Sequence, residues 1–484
     1  MEKVSKYHHR VSDYLRLLLQ GGIMKYFRLS IIILMLFFIL PFSPAEAAQS
    51  NLTEHHVKVN ENFSFSQREF RLEDKGWFFI RKISSSADEI YMTSFEIPGN
   101  EGFIRYFDSN GSLIQKELIS GVMPSSGLVF ISTERYNYLL GQPYSYNDLG
   151  FGTVQSISSH SISISKGIDK WIVTYRFKLQ PGSFGMMWGV GSSYPLVDLS
   201  NRYQQAIWAN YDLDKNARLL YDGYHYLSPS TYKPYVPGAY WRIPSDYLTN
   251  SLIKTGGSTA ADILGNALLK VAHGNINAEG YLPSLPRSLW LYDDYGIDGG
   301  FFDTRFNADT LETNIVAYRK FGDPSFRDAS IKLAEYYLMH GSTRKLVNYD
   351  YFGDEGWLVE DYYAQGGNPT HISLNHQLQA IHAFYMLYED EKDERFLEFA
   401  DKMLQGIKNT TSMWIKQDGN LEYAILQNGQ MGFKDYDYLT YNDLLKVQDD
   451  LVRLKGQRDP DLDILIQSKR LWMDSNGITG YRKW

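Results

Sequence analysis

Residues 306–326 read FNADTLETNIVAYRKFGDPSF, and residues 374–396 read LNHQLQAIHAFYMLYEDEKDERF. Each joins an amphipathic helix, a polar turn built from acids or Pro, and the start of a second helix. A third copy, YNDLLKVQDDLVRLKGQRDPDL, begins at Tyr441. Trp290, Tyr318 and Phe321 all shift by about 67 residues onto Trp357, Tyr385 and Tyr388, and Asn375 shifts by the same offset onto Asn442. That period holds two helices and two loops, and stacked helix pairs curl into a solenoid or toroid. A further helix, STAADILGNALLKVAHG, opens on an N-cap Ser258 and closes on Gly274. The expectation over 247–484 is therefore an incomplete α/α barrel of about four helix pairs. Its cleft would lie at the end where the inner helices begin.

Upstream the period changes to two. WIVTYRFKL puts Trp171, Val173, Tyr175, Phe177 and Leu179 on one face and Thr174, Arg176 and Lys178 on the other. Asn110-Gly111 in FDSNGSLI is a hairpin signal, and SISISKG alternates again before Gly167. An antiparallel β-sandwich or barrel is expected over 49–200. Residues 201–246 include LSPSTYKPYVPGAYWRIPSD, which reads as a connector, with a short helix around NRYQQAIWANYDL ahead of it. The fold class is α+β and multidomain, in keeping with a chain of 484 residues.

The first 48 residues read as a leader. Lys25 and Arg28 precede the apolar run LSIIILMLFFILPF, which is shorter than a membrane span, and Ala45 and Ala47 set a cleavage site after Ala47. Met24 is the better start, and Gln20 to Gly22 read as a translated bacterial ribosome-binding site. Export to the bacterial cell envelope or beyond is expected. The chain has no Cys, so it holds together without disulfides, and covalent cysteine chemistry is excluded. A net charge of −8 argues against nucleic acid. The 37 Tyr, 26 Phe and 10 Trp suit flat sugar rings, and they equally suit an aromatic β-core.

The hexapeptide WLYDDY at Trp290 returns as WLVEDY at Trp357, each ahead of an inner helix. Adjacent acids such as Glu360 and Asp361 can supply a general base, and Tyr362 a proton once nearby charge lowers its pKa. Acids before a helix also cap it, which is the plainer reading. Tyr423, Tyr436, Tyr438 and Tyr441 crowd the approach to the third inner helix. His371, His376 and His382 are not spaced to place a zinc pair on one helical face, so no metal is assigned. Neither a phosphate-binding loop nor a nucleophile elbow is present.

WLVEDYYAQGGNPTHISLNHQLQAIHAFYMLYE resembles a stretch of the D-glucuronyl C5-epimerase family, in which a Trp, paired acids and Tyr precede a Pro and a helix bearing Leu-Asn. FFDTRFNADTLETNIVAYRKFGDPSF, GNLEYAILQNG and KDYDYLTYNDLL are similar to three further segments, in order, across about residues 280–450. The resemblance implies C5 inversion of D-glucuronate to L-iduronate within a polysaccharide, without a cofactor. It implies catalytic roles for Asp361 or Glu360, Tyr362, Tyr423, and Tyr436 or Tyr438. Substrate binding is assigned to Arg287, Arg305, Asn307, Asn375, Lys434 and Asn442. The family follows its Tyr with an Arg-bearing segment where this chain has Ala424-Ile425-Leu426, and Arg287, Arg305 or Lys434 would stand in for that Arg. The partner expected is a uronic-acid-containing polysaccharide, with a homodimer allowed. The alternatives are a polysaccharide lyase, which begins with the same proton abstraction, and a noncatalytic exopolysaccharide-binding protein.

Overall fold

Trp171, Val173, Tyr175, Phe177 and Leu179 are all buried along the strand Lys170–Leu179, while Arg176 and Lys178 face out. The computed structural model describes residues 52–481 apart from 60, 125, 159, 214–216 and 246, so the leader lies outside the described residues. Lys170–Leu179 pairs antiparallel with Glu89–Pro98 and His160–Lys166 in a four-stranded sheet. Val173, Tyr175 and Phe177 pack on Phe79, Ile83 and Met187 of a thirteen-stranded sheet, making a sandwich. The Asn110-Gly111 hairpin is present, joining Gly102–Phe107 to Leu113–Glu117.

The strand Ser183–Ser192 is buried along its whole length. Both of its faces are covered, so its sequence cannot alternate and it leans on glycine instead. A Cβ at Gly185 would lie 2.6 Å from the Phe177 ring. Opposite the small sheet, the large one is covered by helix α1 (Arg202–Leu213) and by two later helices, α2 (Tyr247–Thr255) and α3 (Thr259–His273). Ile263, Leu264, Ala267 and Leu268 of α3 share a core with Phe78, Trp188 and Val190. The Ser258 side chain caps α3 by accepting from Ala261 N at 3.3 Å.

The stretch 201–246 is no connector. After α1 it holds strands Ala217–Leu220, Gly223–Leu227 and Ala239–Arg242, which extend the large sheet, and a short strand Tyr232–Lys233. Pro229, Pro234 and Pro237 fall between these strands, where a missing N–H costs nothing, so they punctuate the sheet without ending it.

Beyond α2 and α3 come α4 (Leu289–Tyr295), α5 (Thr304–Phe321), α6 (Pro324–Thr343), α7 (Leu374–Glu391), α8 (Glu394–Lys408), α9 (Leu439–Lys455) and α10 (Pro460–Ser475). The hairpins α2–α3, α5–α6, α7–α8 and α9–α10 stack in a row, with α2, α5, α7 and α9 as successive neighbours on one side. These four helices meet through charges: Lys254 to Glu312, Gln379 Nε2 to Glu312 Oε2 at 2.6 Å, and His382 Nδ1 to Asp450 Oδ2 at 2.6 Å. Three of the hairpins turn by the same device, a left-handed residue followed by an Asp cap. Gly322, Lys392 and Gly456 have φ of 69°, 57° and 76°, and Asp323, Asp393 and Asp459 each accept from a backbone N at 3.0 Å.

The constant offset in the sequence is not the structural register. Inner helices start at Thr304, Leu374 and Leu439, so the spacings are 70 and 65. Tyr318 corresponds to Tyr388, whose carbonyl accepts the same turn-closing bond, and Tyr385 is instead a fully buried core residue. Among the described residues no linker separates the sheets from the helical hairpins: α3 packs on the large sheet and against α6, within one compact unit. Among the described residues, no helix is long and apolar enough to cross a membrane.

Candidate active site

Two-residue strands lie just before inner helices α5 and α7. Phe302–Asp303 pairs with Tyr362–Tyr363, and Ile372–Ser373 pairs with Ala424 and Ile425. This pairing sets Asp303 opposite Tyr362 and Ser373 beside the segment that carries Tyr423. The register of two short ladders thus gathers residues far apart in sequence.

Asp303 caps α5 by accepting from Phe306 N at 3.0 Å, and it is buried. Burial pushes its carboxyl up to about 7, against the pull of the capping amides. Around it stand Tyr226 and Tyr232, from the sheet extension, and Tyr362, Tyr423 and Tyr436. Burial raises every one of these phenols, and the nearby Asp303 carboxylate adds to the rise. The expectation of a tyrosine made acidic by nearby charge is therefore reversed, because carboxylates are prominent among the charges facing them.

Asp361 is wholly buried behind Ser373. Ser373 N donates to its Oδ1 at 2.9 Å and Ser373 Oγ to its Oδ2 at 2.5 Å. Burial holds its pKa well above the usual carboxylate range, with Asp303 and Glu360 adding repulsion. His371 Nε2 and His376 Nδ1 lie 3.4 and 3.6 Å from Oδ2. Burial lowers His371 to about 4 and His376 well below its ordinary value, so both are neutral at pH 7 and neither makes an ion pair. Thr304 Oγ1 meets His376 Nδ1 at 2.8 Å, and the Tyr295 hydroxyl meets His371 Nδ1 at 3.0 Å. Ser373 pairs with Ala424, next to Tyr423, and its side chain opposes the burial that raises the Tyr423 phenol, so Tyr423 lies beside the Ser373–Asp361 hydrogen bond.

The rim is aromatic. Tyr436 is 51% exposed, with its ring 5.9 Å from Tyr423, and Phe433 is 49% exposed, 5.3 Å from His371. Phe433 has φ of 67°, a costly conformation for a bulky residue, and it stands opposite Tyr423 on the paired strand Met431–Lys434. Trp290 bridges Phe433 and Tyr362 at 6.4 and 5.9 Å. Below Tyr436, the buried Lys469 of α10 donates to Asp435 Oδ2 and Asn420 Oδ1, each at 2.6 Å, and to Tyr436 O at 2.8 Å.

Of the residues expected from sequence, Asp361, Tyr362, Tyr423, Tyr436 and Arg305 come together. The Arg305 cation is mostly buried beside this cluster, bound to Asp443 Oδ2 at 2.6 Å, Asp309 at 3.2 Å and Asn375 O at 3.0 Å. Glu360 turns away toward Arg344 and accepts from Thr370 N at 3.4 Å. Asn307 is buried and committed to Leu282 N and O and to Asp303 O, which is a structural role. Arg287 forms an exposed fork with Asp298 and stacks on Tyr292 at 4.1 Å. Tyr438 sits at the start of α9 with its ring against Gly480, Asn442 lies one turn further along, and Lys434 is exposed. Asn375 is buried with its Oδ1 lacking a hydrogen-bond partner among the described residues. Ala424 and Ile425 are buried strand residues, which leaves no room there for an Arg.

Sequence reasoning missed Asp303, Ser373, Tyr226 and Tyr232, and it weighed His371 and His376 only as metal ligands. The rule that acids precede helices points to Asp303 as directly as to Asp361. Among the described residues, no group of three or more His, Asp and Glu is arranged to hold a metal.

No family model and no curated protein matches the chain. Solved structures align with part of it. Cellobiose 2-epimerase from Bacillus thermoamylovorans aligns at 12% identity and TM-score 0.40, over 56% of this chain and 69% of that one. D-mannose isomerase aligns at 12% and 0.34, over 47% and 58%. An unsaturated glucuronyl hydrolase specific for heparin aligns at 15% and 0.30, over 48% and 62%. The chain thus spans little more than half the length of the mannose isomerase it matches.

Proposed function

We propose that the protein is an acid–base enzyme that inverts C5 of D-glucuronate residues within a polysaccharide, giving L-iduronate. The observation that carries this reading is Tyr423 set beside the Ser373–Asp361 hydrogen bond, under an aromatic rim and near a second carboxyl that burial raises to about 7. C5 of a uronate is α to a carboxylate, so removing its proton gives an enolate-like species that hydrogen-bond donors stabilise. Tyr423 is one proton station. As the C5–H bond breaks, its proton passes to the Tyr423 oxygen while the Tyr423 proton moves to Ser373 Oγ and the Ser373 proton to the Asp361 carboxylate, and Asp303 gives its proton to the opposite face of C5. Asp303, with Tyr232, is the station on the other side. Because Asp361 has no exposed surface, it acts through Ser373 and does not touch the sugar. Tyr436 and Phe433 supply the sugar-facing rim.

Incubation with nonsulfated heparosan and other glucuronate polymers in deuterated water tests the reading. Deuterium at C5 in intact chains is expected. New unsaturated ends would make the protein a lyase, and neither change on any polymer would leave it a binding protein.

A further inference from the structure

A cavity that shares no lining residue with the tyrosine site lies on the large sheet beside α1. Its volume is about 400 Å³, within the range of small-molecule sites. Trp188, Tyr144, Tyr211 and Tyr224 give it aromatic walls, and Asp108, Gln142, Asp212 and Arg218 give it polar ones.

Tyr224 is 4% exposed, and its hydroxyl has no hydrogen-bond partner among the described residues. A buried hydroxyl left without a partner is unfavourable, so a group that enters the cavity and hydrogen-bonds to it gains by doing so. Asp212 accepts from Leu128 N and rests against Gly127, where φ is +103° and a Cβ would lie 2.6 Å from Oδ1. The absence of a side chain at Gly127 makes room for this carboxylate. Burial raises Asp212 to about 6. The Arg218 guanidinium is held between two rings, 5.1 Å from Tyr144 and 4.8 Å from Tyr240. Flat walls stack against the C–H face of a pyranose, while a carboxylate, a guanidinium and a phenol meet its hydroxyls. With Asp108 and Asp212 set against the single Arg218, the lining favours a neutral sugar over an anionic one.

We propose that this cavity binds one or two neutral pyranose units of a glycan, with Tyr224, Asp212 and Arg218 as hydrogen-bonding groups against the Trp188 wall. The proposal is independent of the reaction assigned to Tyr423. Isothermal titration of the full chain with cellobiose, mannobiose and N,N′-diacetylchitobiose tests it, with a glucuronate-terminated disaccharide as the charged control. At least one neutral disaccharide should bind more tightly than the charged one. Tyr224→Phe, which removes only the unpaired hydroxyl, should weaken that binding about tenfold. Asp212→Asn should weaken it too, whereas Tyr423→Phe should leave it unchanged. No heat with any neutral disaccharide, wild-type affinity in Tyr224→Phe, or loss of binding in Tyr423→Phe would each overturn the proposal.

Discussion

WLYDDY at Trp290 and WLVEDY at Trp357 share a pattern and take opposite structures. The first is helix α4, closed by Gly296 at φ of 67°, with Asp293 and Asp294 exposed. The second is the strand Glu355–Val359 followed by a buried acid, Asp361, because it pairs with Lys345–Tyr349 and is covered by Thr370 to Ser373. The offset linking them is also not the spacing of the helices they precede. Repetition of a motif therefore says little here about chemistry, which depends on what buries each acid. Yet the copies meet in space, since Trp290 of one packs edge-on to Tyr362 of the other at 5.9 Å. The first copy serves as a wall for the second.

The largest expected difference between them is catalytic. Tyr423→Phe, which removes the phenol proposed to take the C5 proton beside the second copy, should lower C5 deuterium exchange by about 10³-fold. Tyr295→Phe in the first copy touches only His371 Nδ1 and should cost about tenfold or less, since it removes a bond to a neutral ring. Equal losses in the two variants would remove Tyr423 from its assigned role.

Stability should separate the copies next. Asp361→Ala strands the buried Ser373 N–H and leaves a small void, costing about 3–4 kcal/mol in urea unfolding. Asp294→Ala, on an exposed helix face, should stay within about 0.5 kcal/mol of wild type.

Much of the scaffold was legible, because periodicity is local. The two-residue period of 171–179, the hairpin at Asn110-Gly111 and the inner helices all form as their patterns require. The connector was misread because three prolines close together resemble a break, although each falls between strands that pair with residues far away. The candidate site was half legible. Tyr423, Tyr436, Tyr362 and Asp361 stood out by composition, but Asp303 and Ser373 join them only through ladders to segments about 50–60 positions downstream, which no local pattern encodes. The direction of the tyrosine shifts was equally hidden, since it depends on burial.

Asp303 carries a pH signature of its own. Its folded value of about 7 stands above the roughly 3.9 of an unfolded Asp, so between those values the folded chain keeps a proton that the unfolded chain has lost. Stability therefore falls as pH rises from 4 to 7 and levels off beyond. Asp303→Asn keeps a capping oxygen and cannot ionise. It should match wild type at pH 4 and exceed it at pH 8 by on the order of 3 kcal/mol in urea unfolding. If the two curves stay parallel, Asp303 does not carry that proton.

The smallest effect lies where the two repeats turn. Gly322 and Lys392 occupy the same left-handed position after α5 and α7, each N–H donating to a Tyr carbonyl, at 2.8 and 2.9 Å. Glycine adopts that conformation without strain, whereas lysine brings its Cβ too close to the following carbonyl oxygen. The Lys392 ammonium sits 5.4 Å from the Tyr388 ring, a contact that offsets only part of the strain at so exposed a site. Lys392→Gly should therefore stabilise the chain by about 0.5–1 kcal/mol, and Gly322→Lys should destabilise it by a similar amount, both read as shifts in the urea midpoint. Opposite signs would show that the two turns are equivalent even though the hexapeptides upstream of them are not. A loss in both variants would mean that the Lys392 side chain outweighs its backbone strain.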